Sequence, residues 1–135
     1  MQDSAETLAR AFVDAINRQD VEALCALMTP GHRFIDALGQ VVEGREKMRV
    51  GWKGYFGMVP DYTIAIEEVH GDGAVVVILG EAGGTYAPVG QMLPENRWKT
   101  PVALLARVEN GKVAEWRAYA DNEPMRRLMA RAGQR

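Results

Sequence analysis

The sequence predicts an α+β domain in which helices cover one face of a curved antiparallel sheet. The main observation is a change of hydrophobic period. Apolar residues recur every three or four positions in the first half of the chain, and from Pro60 onward they alternate. The 135 residues are 47% hydrophobic and 25% charged, and no linker divides them, so we expect one domain spanning 1–135.

Two helices are predicted before the first strand. The first begins at the N-cap Ser4 and continues to Ile16, because apolar residues at spacings of three and four form one stripe. The second follows the cap Asp20 and ends at Pro30-Gly31. The first stripe consists of Leu8, Phe12, Ala15 and Ile16, and the second of Val21, Leu24, Cys25, Leu27 and Met28.

A third helix is the most clearly periodic part of the sequence. It follows a short extended segment over 32–35, a polar turn over 36–40 and residues 41–44. Gly51 and Gly54 lie within it, and each costs about 1 kcal/mol of helix propensity relative to alanine. Their presence predicts that another element packs closely there. The apolar positions are Met48, Trp52, Tyr55, Phe56 and Val59.

Strands follow from residue 61, about four or five in number. Residues 61–70 and 75–81 predict a hairpin with its turn at 70–73, and residues 97–108 and 112–121 predict another, joined by Asn110-Gly111. Glycine and proline interrupt residues 83–94, which form either a bulged edge strand or a mobile loop. Pro124 begins a final helical turn.

Composition and charge argue against several classes of function. A net charge of −2 offers no broad attraction for nucleic acid or an anionic membrane. The longest apolar runs, 74–79 and 101–106, are far shorter than the roughly 20 residues of a membrane-spanning helix. Residues 1–6 show no feature of a secretory signal, and the single cysteine, Cys25, suits a reducing compartment. We therefore expect a cytoplasmic protein without nucleic-acid or membrane partners.

No metal or cofactor is expected. His32 and His70 have no metal-ligand spacing with any cysteine. No glycine-rich segment leads from a strand into a helix, as a nucleotide fingerprint requires.

Several motifs carry a resemblance that spans residues 5 to 129. They are the segments 11–24 and 42–46, Phe34-Ile35-Asp36, the segment 109–116, and Tyr119-Ala120-Asp121. With the order of elements, they resemble the nuclear transport factor 2-like superfamily and its polyketide cyclase-like (SnoaL-like) and ketosteroid isomerase-like branch. The resemblance implies a cystatin-like fold in which the sheet curls into a cone with a deep apolar pocket. It also implies a homodimer, but it leaves the activity open, because this fold hosts enzymes and non-catalytic proteins alike.

Two aspartates are candidates for an acid or base. Asp36 matches the general-base aspartate of ketosteroid isomerases, and Asp121 resembles the acid/base aspartate with which polyketide cyclases close a ring by an aldol step. The alternative for each is structural. Asp36 would bond turn N–H groups ahead of Gly39, and Asp121 would cap the segment before Pro124.

The match to ketosteroid isomerases is incomplete at the oxyanion hole. Phe12 and about Leu104 stand where that family places its two donors. Each missing donor would forgo about 3 kcal/mol of stabilisation of the developing enolate. Isomerisation of steroids by that mechanism is therefore not expected.

A third acidic candidate is Glu81, which ends an apolar run. If Val75, Val77 and Leu79 point into the cone, strand alternation puts Glu81 on the same side. A buried unpaired carboxylate is costly, so Glu81 should be protonated, paired with Arg97 or Lys99, or placed at the pocket rim. Pairing is the structural alternative to a chemical role.

Bulky side chains are predicted to line one apolar pocket. They favour a planar or hydrophobic small molecule, with Tyr55 and Tyr86 able to donate a hydroxyl to a ligand carbonyl. Core packing is the alternative for about half of them. The set is Phe12, Trp52, Tyr55, Phe56, Met58, Tyr86, Trp98 and Trp116.

Three functional hypotheses follow. The first is a cofactor-independent cyclase or isomerase-like enzyme that acts on a hydrophobic carbonyl compound through Asp36 or Asp121. The second is a non-catalytic ligand-binding or dimeric scaffold protein. The third, ranked last, is epoxide hydrolysis, for which Arg97 or Arg107 would have to reach one of the acids. A homodimer is expected also because residues 97–108 are apolar on both faces.

Overall fold

Four α-helices and a six-stranded sheet make up the computed structural model, which describes residues 4–133. The helices are α1 (Ala5–Asn17), α2 (Val21–Ala26), α3 (Arg45–Met58) and α4 (Glu123–Gly133). The strands are β1 (Met28–Ile35), β2 (Val41–Glu43), β3 (Thr63–Asp72), β4 (Val75–Thr85), β5 (Arg97–Glu109) and β6 (Lys112–Ala120). Residues 1–3, part of the segment examined for a secretory signal, and residues 134–135 of the predicted domain lie outside the described residues.

The sheet has the strand order β2-β1-β6-β5-β4-β3. All neighbours are antiparallel except β1 and β6, which run parallel with Phe34 opposite Trp116. The predicted α+β class with a curved sheet is confirmed, but the expectation of a wholly antiparallel sheet is wrong. β1 and β6 come from opposite halves of the chain and pair within the sheet. Hairpin signals identify only strands that follow each other along the chain, so they could not predict this pairing.

One more strand lies before α3 than the sequence predicted, and the predicted extended segment 32–35 is part of a longer strand. β1 begins at Met28, inside the predicted second helix, and 41–43 forms β2. Pro30 and Gly31 do not stop the strand, because the pairing with β6 is interrupted between Met28 and Arg33. Proline is tolerated at such an irregularity, since its missing N–H is not needed for a ladder bond.

The predicted helix starts are confirmed by their caps. The side chain of Ser4 accepts a hydrogen bond from the backbone N–H of Thr7, and that of Asp20 accepts one from Ala23. Gly44 precedes α3 with a φ of 113°, a conformation that favours glycine.

One face of the sheet packs against the helices and forms the core. On β4 the fully buried side chains are Val76 and Ile78, while Val75, Val77 and Leu79 are only half-buried on the outer face. The assumption that Val75, Val77 and Leu79 point into the cone is therefore wrong. Glu81 lies with them on the outer face of the sheet. Alternation defines two faces of a strand, and the packing of α1 against β3, β4 and β5 decides which one is inside.

Close packing at glycines occurs in the sheet and not in α3. No heavy atom lies within 4 Å of a β-carbon placed at Gly54, and only Met48 does so at Gly51, so the prediction for these two positions is wrong. A β-carbon at Gly80 would instead overlap the carbonyl oxygen of Ala65, and one at Gly84 would lie 2.5 Å from Val59 Cγ1. β4 needs glycine because its neighbours approach this closely.

The segment 83–94, for which the sequence left an edge strand or a loop open, is divided between a strand and a connection. Its first residues continue β4 to Thr85, between β3 and β5, so this part is neither an edge strand nor a loop. A connection then leads to a short 3-10 turn, Pro94–Asn96, before β5.

α4 forms a second, smaller apolar cluster with the end of α3. Its buried side chains Met125 and Leu128 pack with Val59 and Tyr86. Tyr55, Met58, Tyr62 and Trp98 are partly buried against this cluster. Within the described part of the chain, no helix has the length and apolar character needed to cross a membrane.

Candidate functional site

Five aromatic rings form a continuous series of contacts, which we call the aromatic run. Phe34 on β1 contacts Trp52 on α3 at 6.1 Å between ring centroids, and Trp52 contacts Tyr55 at 6.3 Å. Tyr62, just before β3, lies 5.0 Å from Tyr55 and 6.1 Å from Trp98 on β5. The run therefore extends from the main core to the residues under α4.

Three polar hydrogens in this run have no strong acceptor. The indole N–H groups of Trp52 and Trp98 are buried, and neither has a hydrogen-bond partner within residues 4–133. The hydroxyl of Tyr55 donates to the sulfur of Met125 at 3.9 Å, and a thioether is a weak acceptor. A buried donor without a partner costs about 1–3 kcal/mol, so these groups call for a functional explanation.

The two tyrosines of the run are neutral at ordinary pH. Burial raises the pKa of Tyr62 to about 12, and it raises the pKa of Tyr55 further above its usual range. Both phenols therefore keep their protons and can act as hydrogen-bond donors.

α4 packs against one end of this site. Met125 and Leu128 are its buried side chains, while Arg126, Arg127 and Met129 are exposed. Burial of two such apolar side chains contributes about 1.5–3 kcal/mol each. The helix is thus held to the domain by a small contact, as expected of an element that opens locally.

The main core cluster, which contains Trp52 and Phe56, also contains Phe12 and Trp116. The rings of Phe12 and Trp116 stack at 4.4 Å in the main core under α1, and Phe12 also stacks on His32 at 5.9 Å. The convergence of all the large side chains on one cavity stays a prediction. Trp52, Tyr55 and Trp98 do come together, Phe56 lies 5.3 Å from Trp52, and Met58 and Tyr86 lie beside α4.

His32 and Tyr62 are residues that the predicted site did not include. His32 is fully buried, its Nδ1 lies 2.7 Å from the carbonyl oxygen of Val113, and its Nε2 has no partner within the described region. Burial lowers the pKa of His32. Strand alternation was the sequence signal that could have identified both residues. It puts His32 on the same face of β1 as Phe34, and it puts Tyr62 on the same side as Ile64.

Both candidate aspartates accept hydrogen bonds from backbone N–H groups that are close to them in the sequence. Asp36 Oδ1 accepts hydrogen bonds from the N–H groups of Leu38 and Gln40, each at 2.9 Å. Asp121 Oδ1 accepts one from the N–H of Glu123 at 2.9 Å, at the start of α4. Neither residue lines the surface clefts of about 530, 670 and 690 Å³. These are the structural alternatives that the sequence left open.

Glu81 lies on the outer face of the sheet beside a cleft of about 530 Å³. Arg97 and Lys99 line the same cleft, but within residues 4–131 no ion pair of 4.0 Å or less joins either of them to Glu81. Asp61, also in this cleft, accepts hydrogen bonds from the N–H and hydroxyl of Thr85 at 2.7 and 2.8 Å. This pair fastens the α3–β3 connection to the end of β4.

A second cleft, of about 690 Å³, lies near Arg33, Arg107 and Glu115 at the far end of β5. Arg107 pairs with Glu115 at 3.0 Å, and across the described chain no ion pair joins Arg97 or Arg107 to Asp36 or Asp121. The arginine contact that epoxide hydrolysis would require is thus not formed. No group of three or more His, Cys, Asp or Glu that could hold a metal occurs among the residues described.

Comparison with known proteins relates the chain to one domain family. A family model described as a SnoaL-like domain matches residues 9–116. No curated protein matches the chain.

Solved structures share the fold. An uncharacterized cystatin-fold protein from Novosphingobium aromaticivorans is 25% identical, over 86% of this chain and 97% of its own, with a TM-score of 0.74. An LEH-like epoxide hydrolase from M. tuberculosis is 20% identical, over 94% of this chain and 90% of its own, with a TM-score of 0.76. A candidate SnoaL-like polyketide cyclase from Shewanella denitrificans is 15% identical, over 94% and 97%, with a TM-score of 0.80.

Proposed function

Because the chain belongs to the SnoaL-like domain family and has the nuclear transport factor 2-like fold, we propose that it binds an apolar small molecule carrying an acceptor oxygen. The ligand lies along the aromatic run beneath α4. The observation that carries this proposal is the set of buried donors without strong acceptors: the N–H groups of Trp52 and Trp98 and the hydroxyl of Tyr55.

The chemistry of the ligand follows from these groups. Indole N–H groups donate and cannot accept, and the two tyrosines stay protonated, so the complementary ligand atom is an acceptor such as a carbonyl oxygen. The surrounding rings favour a planar apolar body. On binding, the ligand oxygen replaces the thioether of Met125 as the partner of Tyr55, and α4 moves outward to admit it.

Calorimetric binding of a matched pair of probes tests this proposal. We expect 2-acetylnaphthalene to bind about tenfold more tightly than 2-ethylnaphthalene, which corresponds to about 1.4 kcal/mol for hydrogen bonds to the ketone oxygen. Trp98→Phe and Tyr55→Phe remove a donor and keep a ring, so each should reduce this preference. Tyr119→Phe is the control, because Tyr119 is an exposed residue on the outer face. Equal affinity of the two probes for the unaltered protein would refute the proposal.

A second candidate function is cyclisation of a carbonyl compound by an aldol step. The family assignment and the similarity to a candidate SnoaL-like polyketide cyclase favour it. Asp36, Asp121 or Glu81 would act as acid and base, and Asp36 and Asp121 would do so through Oδ2, because Oδ1 of each accepts backbone hydrogen bonds. Turnover of an aromatic polyketone that is lost in Asp36→Asn or Asp121→Asn would favour this candidate over the binding protein.

A homodimer through the outer face of the sheet is part of the proposal. Leu79 and Leu105 are half-buried there and Tyr119 is 48% exposed, so the face presents apolar surface that a second copy would cover. The guanidinium of Arg117 lies 4.8 Å above the ring of Tyr119, and its buried Nε has no partner within the chain as described. A cytoplasmic location remains a prediction, motivated by the buried free thiol of Cys25.

A further inference from the structure

A surplus of positive charge lines a cleft between α4 and the start of β5, although the net charge of the chain is −2. This α4–β5 cleft has a volume of about 670 Å³. Its cationic side chains are Arg97, Lys99, Arg127 and Arg131. Glu95 is the acidic residue that lines it.

The nearby carboxylates neutralise this charge only in part. Arg127 pairs with Glu123 at 3.2 Å, but Arg131 donates at 3.4 Å to the backbone carbonyl of Glu95, not to a carboxylate. Arg97 and Lys99 have no carboxylate oxygen within 4.0 Å in the described part of the molecule. Cations gathered in this way repel each other, and a bound anion would offset the repulsion.

The same cleft adjoins the smaller apolar cluster under α4. Trp98 and Leu128 line it, and these two residues also pack around the aromatic run and under α4. The unpartnered N–H of Trp98 is therefore near the boundary between the charged cleft and the apolar interior.

We propose that the α4–β5 cleft binds the acidic group of the ligand, so that the protein takes an aromatic carboxylate and not a neutral molecule. The inference rests on the proposed function and specifies its ligand class. The planar apolar body follows the aromatic run, while the carboxylate meets Arg97 and Lys99, where a guanidinium can bind both oxygens.

The test compares 6-acetyl-2-naphthoate with its neutral isostere, 6-acetyl-2-naphthamide, by calorimetry at low salt. We expect the acid to bind at least tenfold more tightly, with an advantage that shrinks as sodium chloride is added. The double variant Arg97→Gln/Lys99→Gln should narrow the gap to about twofold, mainly through weaker binding of the acid. Lys47→Gln/Lys53→Gln, on the exposed face of α3, is the control with the same change in net charge.

The outcomes separate this inference from the proposed function. Equal affinity of acid and amide, or a gap that persists in Arg97→Gln/Lys99→Gln, overturns the inference while the binding of neutral ketones still stands. An equal loss of the gap in the Lys47→Gln/Lys53→Gln control also overturns it, because a general electrostatic effect would then be responsible. If Trp98→Phe leaves the affinity for the acid unchanged, the proposal that one ligand occupies both the cleft and the aromatic run is overturned. Absence of binding by all these probes overturns both proposals.

Discussion

The hydroxyl of Tyr55 on α3 lies 3.9 Å from the thioether sulfur of Met125, so a side chain of α4 occupies the position that an acceptor atom of a ligand would take. This contact connects the aromatic run to the C-terminal helix. Sulfur is a weak acceptor, and a carbonyl oxygen makes a stronger bond with a phenol. In the proposed complex, ligand binding and the position of α4 are therefore coupled.

Leu128→Ala should release α4 without unfolding the sheet. The substitution removes one of the two buried side chains of the helix, at a cost of about 2–5 kcal/mol. Hydrogen exchange of α4 amides should become faster, while that of β5 and β6 amides stays slow. Met129→Ala, at a position that is 43% exposed on the same helix, should change neither. Unchanged exchange in α4 after Leu128→Ala would show that other contacts hold the helix.

Gly80→Ala should destabilise the domain, because the added methyl group would overlap the carbonyl of Ala65. Overpacking of this kind costs about 1–3 kcal/mol. Gly54→Ala is the matched control: it adds the same methyl group in α3, where no heavy atom lies within 4 Å, and should raise the free energy of unfolding by up to about 1 kcal/mol. Urea denaturation of both variants measures the two changes, and a stable Gly80→Ala variant would contradict the packing described.

The free energy of unfolding should fall as the pH falls from about 6.5, the ordinary pKa of histidine. Burial lowers the pKa of His32 in the folded state, so in this range the unfolded chain binds more protons than the folded one. The stability is complete above pH 6.5 and is lost towards the lower, folded-state pKa. His32→Gln should weaken this dependence, and His70→Gln, at an exposed position, should not. Equal pH profiles for the unaltered protein and His32→Gln would contradict the assignment.

Asp36→Ala should reduce stability by about 1 kcal/mol, because the N–H groups of Leu38 and Gln40 lose their shared acceptor. Asp36→Asn retains an acceptor oxygen and should cost less. The affinity for 2-acetylnaphthalene should change less than twofold in both variants. A loss of binding or turnover in Asp36→Asn at unchanged stability would assign the carboxylate a chemical role.

Leu105→Asp should convert the proposed dimer to monomer. Leu105 lies on the outer face of β5 opposite Val77, and a charge there cannot be buried against a second copy without cost. Sedimentation should give twice the chain mass of 14.9 kDa for the unaltered protein and the single mass for the variant. Val50→Asp, at a position on α3 that is 71% exposed, serves as the control. If the unaltered protein sediments as a monomer, the proposed dimer is wrong.

Local features of the fold were predictable from short stretches of sequence. The stripe of Leu8, Phe12 and Ile16 faces the core, and Asn110 and Gly111 form the turn of the last hairpin with φ values of 52° and 72°. Such features depend on neighbouring residues alone, through helical period, capping and the backbone freedom of glycine.

The candidate site was predictable only in part. Trp52, Tyr55 and Trp98 were identified as pocket residues from their size and spacing, and the structure brings them together. Tyr62, which joins them, was not included, and neither was the role of Met125, because contacts between α3, β5 and α4 have no local sequence signal.

The sequence alone determined the class of the fold, the helix caps, the final hairpin and the supply of large aromatic side chains. Tertiary structure alone decided that β1 pairs with β6, that Glu81 faces outward, and that Asp36 and Asp121 hold backbone groups. The reason is physical. A strand of period two offers two equivalent faces, and a carboxylate offers the same oxygens to a turn or to a substrate. Which of these is used depends on the elements packed around it.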